Sequence, residues 1–205
     1  MKLLIKGILF ILLILLFNTF AFASDPVESK KVLLLYSYKN PMPYSDLVNQ
    51  GIRSVLDSSK TYKFEYYVEH MDMTRFSDEL YFQQLVDFYH QKYSGIKLDL
   101  LIAVSIHAMD FINKYGDEIF PGTPVVFCAI GKRQLENLSF GSNTTGLFVE
   151  LDISGTLDAA LKLQPDTRRV VVTGGAGKTD RFWATAVRRE FQGYQDEIEF
   201  IYLTG

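Results

Sequence analysis

The sequence predicts an α/β fold: a Rossmann-like parallel sheet lobe with helices on both faces, followed by a partial second α/β lobe. Three observations predict it. Leu98 to Gly131, LDLLIAVSIHAMDFINKYGDEIFPGTPVVFCAIG, holds two short apolar runs on either side of an amphipathic segment. Ile106, Met109, Ile112 and Tyr115 recur there at helical spacing, so the stretch reads as strand, helix, strand. Further apolar runs alternate with helical patterns before and after it, and crossovers of this length join parallel strands.

The elements follow in order. Residues 1–23 stand apart as a leader. Lys2 and Lys6 precede an apolar run from Ile8 to Phe17, and Ala21-Phe-Ala23 places small residues where a signal peptidase reads them. The same stretch is long enough to span a bilayer as an uncleaved anchor. Both readings carry the remainder out of the cytoplasm, to a periplasmic or extracytoplasmic location.

The first lobe covers residues 31–131. Lys31 to Tyr36, KVLLLY, is its first strand, and Ser37 to Pro43 is a loop that two prolines keep irregular. Ser45 or Asp46 is placed to cap a helix carrying Leu47, Ile52, Val55 and Leu56. Tyr62 to Val68 is a second strand, and a helix near 78–93 ends at Ser94-Gly95. The opening unit comes next, with Gly116 and then Pro121-Gly122 closing its helix.

Residues 132–150 form a crossover containing the strand Gly146 to Glu150 and the acceptor patterns Asn137-Leu-Ser and Asn143-Thr-Thr. Residues 151–205 restart the alternation, with helices at 153–163 and 179–192 and strands at 169–173 and 197–202. Two buried parallel strands are few for a complete domain, so the second lobe is expected to be incomplete.

Several classes of function lack support in the sequence. A net charge of −3 gives no basic field for nucleic acid. The only cysteine, Cys128, lies within PVVFCAI and reads as a small buried hydrophobe. His70, His90 and His107 are too scattered to define a metal site, and no cofactor motif is present. Thr173-Gly-Gly-Ala-Gly-Lys-Thr179 looks like a phosphate loop, but Val172 stands where its first glycine is required. No nucleophile elbow or HExxH motif occurs. The chain therefore reads as a binding domain and not an enzyme, the alternative being an exported α/β enzyme acting on a small substrate.

In parallel sheets, ligands meet the carboxyl ends of the strands. That rule selects the candidate ligand-binding residues. Ser105 is placed to cap the helix after its strand, and His107 sits in that helix's first turn. Ser37 and Tyr38 hold the matching place after the first strand. Gly131 suits close backbone approach or a positive-φ turn. Glu150 on the crossover, and Asp180 and Arg181 after the glycine-rich turn, complete the set.

The runs FPGTPVVFCAIG and EHMDMTRF (Glu69 to Phe76), together with Thr145-Gly-Leu and Leu163-Gln-Pro165 followed by RRVVVTGG, resemble the ABC-transporter substrate-binding-like domain. That domain belongs to the type I periplasmic binding protein superfamily. The spacing is most similar to the extracytoplasmic sensor regions of bacterial histidine kinases. The resemblance covers about Lys31 to Gly205. It implies two Rossmann-like lobes that close about a hinge near Glu150 on a small ligand, of amino-acid or carboxylate kind. The implied partner is a membrane kinase or a permease. Family members are longer, so this chain reads as a piece of such a receptor.

Overall fold

The computed structural model describes residues 28–40, 42–135 and 138–204. The leader at 1–23 and Asn137 lie outside the described residues. The chain divides into two compact units, one ending at Val149 and one starting at Glu150.

The first unit is built on β1 (Glu28–Tyr36), α1 (Pro43–Leu56), β2 (Tyr62–His70), α2 (Glu79–Lys92) and β3 (Leu100–Val104), and then α3 (Ile106–Ile119), β4 (Val125–Gly131), a short α4 (Lys132–Leu135) and β5 (Thr144–Val149). Its five strands form one sheet in the order β2-β1-β3-β4-β5, and every pairing is parallel. β1 pairs Glu28 with Tyr62 through Tyr36 with His70, and pairs Val32 with Leu100 through Tyr36 with Val104. β1 and β3 are buried on both faces over their central residues, and β4 is buried toward α2 and α3 and partly buried toward α1, which explains why the three read as continuous apolar runs.

Alternation splits the core in two. Leu33, Leu35, Leu101, Ala103, Val125 and Phe127 face α2 and α3, where they meet Leu85, Tyr89, Met109, Phe111 and Ile112. Val32, Leu34, Tyr36, Ile102 and Val104 face α1, against Val48, Ile52 and Leu56. Burying each such aliphatic side chain contributes roughly 1.5–3 kcal/mol. Phe111 also stacks on Phe82 at 6.1 Å and meets Tyr89 edge-on at 5.9 Å, locking α2 to α3.

The structure departs from the sequence reading at several points. α1 starts at Pro43, with Met42 as its N-cap and proline in the first turn; Ser45, read as a cap, is buried inside the helix. Proline suits that first turn because its missing N–H has no helical acceptor there. α3 runs through Gly116 to Ile119, because Gly116 and Ile119 are buried and packing outweighs the weak glycine penalty of about 1 kcal/mol. β5, within the stretch read as a crossover, pairs with β4 as the fifth strand of the first sheet. Gly146 permits this pairing: a Cβ there would stand 2.3 Å from the carbonyl oxygen of Phe127.

The second unit holds α5 (Ile153–Leu163), β6 (Arg169–Gly174), α6 (Lys178–Glu190), a 3-10 turn (Phe191–Tyr194) and β7 (Glu199–Thr204). β6 and β7 form a two-stranded parallel sheet, the number of strands read from the sequence. Leu157, Ala184, Ala186, Phe191 and Ile198 make its small core, and Phe191 stacks on Phe200 at 5.1 Å. Val171 and Leu203 stay exposed.

Candidate functional site

The strand order sets the place. From β1 the chain moves outward to β2 and then returns to the opposite side of β1 at β3. The loops after β1 and β3 lead to α1 on one face and α3 on the other. Such a switch point leaves a crevice outside the carboxyl ends of the two strands. Ser37 and Tyr38 follow β1, and Ser105 and His107 follow β3, so four of the sequence-selected residues converge there.

Ser37 ties this rim together. Its N–H donates to the carbonyl of Val104 at 3.1 Å, and its hydroxyl donates to the same oxygen at 2.9 Å. The hydroxyl oxygen also accepts from the Ala108 N–H at 2.8 Å, while the Ser37 carbonyl accepts from Met73 N–H at 2.9 Å. The helix cap thus comes from a neighbouring strand. Ser105, expected to cap α3, makes no side-chain cap bond. The reason is its backbone, held at φ 70°, ψ 167° because its N–H continues the sheet ladder to the Cys128 carbonyl at 3.0 Å. That conformation is nearly confined to glycine and stores about 1–3 kcal/mol of strain.

Among the described residues, two other non-glycine residues have positive φ, Asp72 just beyond β2 and Ala129 near the end of β4, on the same rim as Ser105. The β4–β5 register slips between Phe127 and Ile130, and Cys128 and Ala129 both pack on the α1 face. Gly131 is not at positive φ. Its N–H donates to the Gln134 side-chain oxygen at 2.9 Å, and a Cβ there would stand 3.2 Å from that same oxygen.

Aromatic side chains line the rim. The Tyr38 ring meets His107 edge-on at 6.1 Å. His70 stacks on Tyr36 at 4.9 Å, and its Nδ1 lies 3.0 Å from the Tyr38 carbonyl. Burial pushes the Tyr36 phenol up to about 12 and the Cys128 thiol up to about 11, and it raises Tyr38 and Tyr44. The rim is therefore uncharged at these groups near pH 7. Tyr36, His70 and Ala129 were not selected from the sequence. A strand-end tyrosine reads as core, and the bulge in β4 has no local signature.

The remaining three selected residues belong to the second unit. Glu150 is exposed at its start. Asp180 folds back on the glycine-rich turn, its carboxylate accepting from the Gly177 N–H at 3.0 Å, and Arg181 donates to the Ala176 carbonyl. The carboxylate thus fills the position an anion would take on that turn; the side chain of Thr179 lies outside the described residues.

Two open grooves lie at the opposite end of the first sheet. One, of about 230 Å³, is lined by Asn113, Asp117, Phe120, Thr123, Phe140 and Asn143. The other, of about 440 Å³, is lined by Tyr93, Lys97, Glu118 and Phe120. They border the amino ends of the strands, where this architecture does not bind ligands. Among the described residues no three metal-ligating side chains converge.

Comparison with solved structures decides the architecture. The chain superposes on a conserved domain protein from Vibrio cholerae with a TM-score of 0.56 at 16% identity, over 86% of this chain and 57% of that one. A domain from Streptococcus pneumoniae in complex with L-Trp gives 0.57 at 16% identity, over 87% and 58%. A solute binding protein of an ABC transporter from Rhodopseudomonas palustris, in complex with 3,4-dihydroxybenzoic acid, gives 0.52 at 10% identity, over 86% and 47%. The fold is that of the ABC-transporter solute-binding proteins. The chain spans a little over half the length of the first two of these neighbours. No family profile matches the sequence, and comparison with characterised proteins by sequence finds no match. Among the described residues, no helix is long and apolar enough to cross a membrane.

Proposed function

We propose that this chain is an extracytoplasmic, non-enzymatic binding domain whose first unit offers the carboxyl rim of β1 and β3 to a small molecule. The observation that carries the reading is the convergence of Ser37, Tyr38, Ser105 and His107 at the switch point of a parallel sheet. Solute-binding proteins of the same fold hold small ligands, L-Trp and 3,4-dihydroxybenzoic acid among them. An amino acid or other carboxylate suits the rim, because the α3 amino terminus carries the positive end of a helix dipole and His107 is in its first turn.

Ser37 positions this rim, while the Ser105 hydroxyl, released from capping, is available for the ligand. The chain acts as the sensory input region of a receptor of histidine kinase type or as the solute-binding component of a transporter. A kinase or a permease in the membrane is its partner. Export by the leader, or anchoring through it, places the domain outside the cytoplasm.

A thermal-shift screen of amino acids, carboxylates and sugars tests the reading. A ligand bound at one hundred times its Kd raises stability by about 2.7 kcal/mol. Hits whose shift disappears in Ser105→Val or His107→Ala support the rim. Hits untouched by both substitutions contradict it.

A further inference from the structure

β2 stands at the edge of the five-stranded sheet, and among the described residues it pairs with β1 alone. It runs nine residues without a proline, in unbroken register from Tyr62 opposite Glu28 to His70 opposite Tyr36. A long regular edge is a template for another strand, and proteins commonly blunt one with proline, a bulge or a covering element. Its free peptide groups can be assigned. The Met71 N–H donates to the Tyr36 carbonyl at 2.9 Å, and alternate residues of a strand address the same neighbour. Glu69, Tyr67, Glu65 and Lys63 therefore turn their peptide groups toward β1, and Tyr62, Phe64, Tyr66 and Val68 turn theirs away from the sheet. Of these, the Tyr62 N–H is taken by the Ser59 hydroxyl at 3.2 Å.

The side chains carry a second pattern. Tyr62, Phe64 and Tyr66 form a row of rings 6.5 and 6.2 Å apart on the α1 face. Arg53 sits 4.1 Å from the Tyr66 ring, and the Tyr66 hydroxyl donates to Asp57 at 2.6 Å, so the row is held in place before any partner arrives. Lys63 and Glu65 are exposed on the other face, where one Glu65 oxygen accepts the Tyr67 hydroxyl at 2.6 Å. Tyr62-Lys-Phe-Glu-Tyr66 thus reads the same in both directions in its rings and with opposite sign in its charges.

We propose that β2 is a self-association edge, on which a second copy of this chain lays its own β2 antiparallel about Phe64 to make one continuous sheet. Phe64 then faces Phe64, Tyr62 faces Tyr66, and Lys63 faces Glu65 on both sides of the two-fold. The occupant follows from the pattern, since the sequence that complements this edge is the edge itself, as a two-fold contact requires. Registers centred on Lys63 or Glu65 set like charges directly opposite, which destabilises the pair. A register centred on Tyr66 sets Lys63 against Glu69, whose side chain is 12% exposed and already held by Lys92 and the Tyr93 hydroxyl. One strand edge is small beside the roughly 1,000 Å² of a stable interface, so the dimer is expected to be weak and concentration-dependent. The inference is independent of the rim reading.

Sedimentation velocity of the purified protein over a concentration series reads the dimer, and hydrogen exchange reads its place. Dimer should grow with concentration, and protection of the Phe64 and Tyr66 amides should grow with it. Lys63→Glu and Glu65→Lys should each weaken association roughly tenfold, because like charges then face each other in two pairs. The double exchange Lys63→Glu/Glu65→Lys re-forms both pairs and should recover most of the loss. Circular dichroism checks that each variant is folded, and the wild-type exchange pattern decides the matter where one is not. A protein that stays monomeric at every concentration would overturn the inference. So would a dimer whose Phe64 and Tyr66 amides gain no protection, one indifferent to both single exchanges, or one that the folded double variant fails to restore.

Discussion

Replacing Ser37 by alanine isolates the contact that organises the rim. The hydroxyl is 1% exposed, accepts the Ala108 N–H at 2.8 Å and donates to the Val104 carbonyl at 2.9 Å. Val104 keeps the Ser37 backbone N–H, so the acceptor is not orphaned. The Ala108 N–H is. Loss of a helix cap costs about 0.5–2 kcal/mol, and an unpaired buried donor about 1–3 kcal/mol. These describe one event and are not summed; about 2 kcal/mol is the expected cost, or a Tm lower by roughly 5–10 °C for a unit of this size. Urea unfolding followed by circular dichroism measures it, and hydrogen exchange at the Ala108 amide reports the site itself. Ser105→Ala is the control, expected to cost less than about 0.5 kcal/mol because that side chain caps nothing. If Ser105→Ala proved the costly change and Ser37→Ala the silent one, the assignment of the cap across the sheet would be refuted.

Ser105→Gly should stabilise the chain by roughly 1 kcal/mol, since its φ of 70° suits glycine, and a lower Tm would count against strain at that residue. Gly146→Ala should destabilise by about 3 kcal/mol or more, because the Cβ would meet Phe127 backbone at 2.3 Å; a neutral outcome would mean that β5 is not held in this register. Glu79 accepts bonds from Lys114, Tyr115 and Gln83, and these hold its carboxyl down at about 2. A folded value below the unfolded one gives stability that is present above about pH 4.5 and lost as the pH falls toward 2. The Tm gap between wild type and Glu79→Gln should therefore narrow across that window, and a gap independent of pH would contradict the network. Cys128, with its thiol raised to about 11 by burial, should react with iodoacetamide at pH 8 far more slowly than free cysteine and speed up on unfolding.

The parallel sheet was legible because β1 and β3 are buried on both faces and β4 is covered on both, which leaves apolar runs that no surface helix would carry. The rim was legible for a related reason: its position follows from strand direction alone. What lay beyond the sequence were contacts made across it. The Ser37 hydroxyl meets an amide 71 residues away, and nothing near Ser105 signals that its own capping role has been taken. Gly116 looked like a helix end, but the buried face from Met109 to Ile119 carries α3 past it. Tyr36 reads as one more core residue in KVLLLY, since a pattern of burial cannot show whether a hydroxyl has a partner.

The central claim is that a small molecule meets the carboxyl rim of β1 and β3. A titration of the isotopically labelled chain with amino acids and other carboxylates, followed by amide chemical shifts, tests it most directly. The account predicts that the largest changes cluster at Tyr36 to Tyr38 and Ser105 to Ala108. Changes confined to Phe120, Thr123 and Asn143, in the groove at the other end of the sheet, would contradict it.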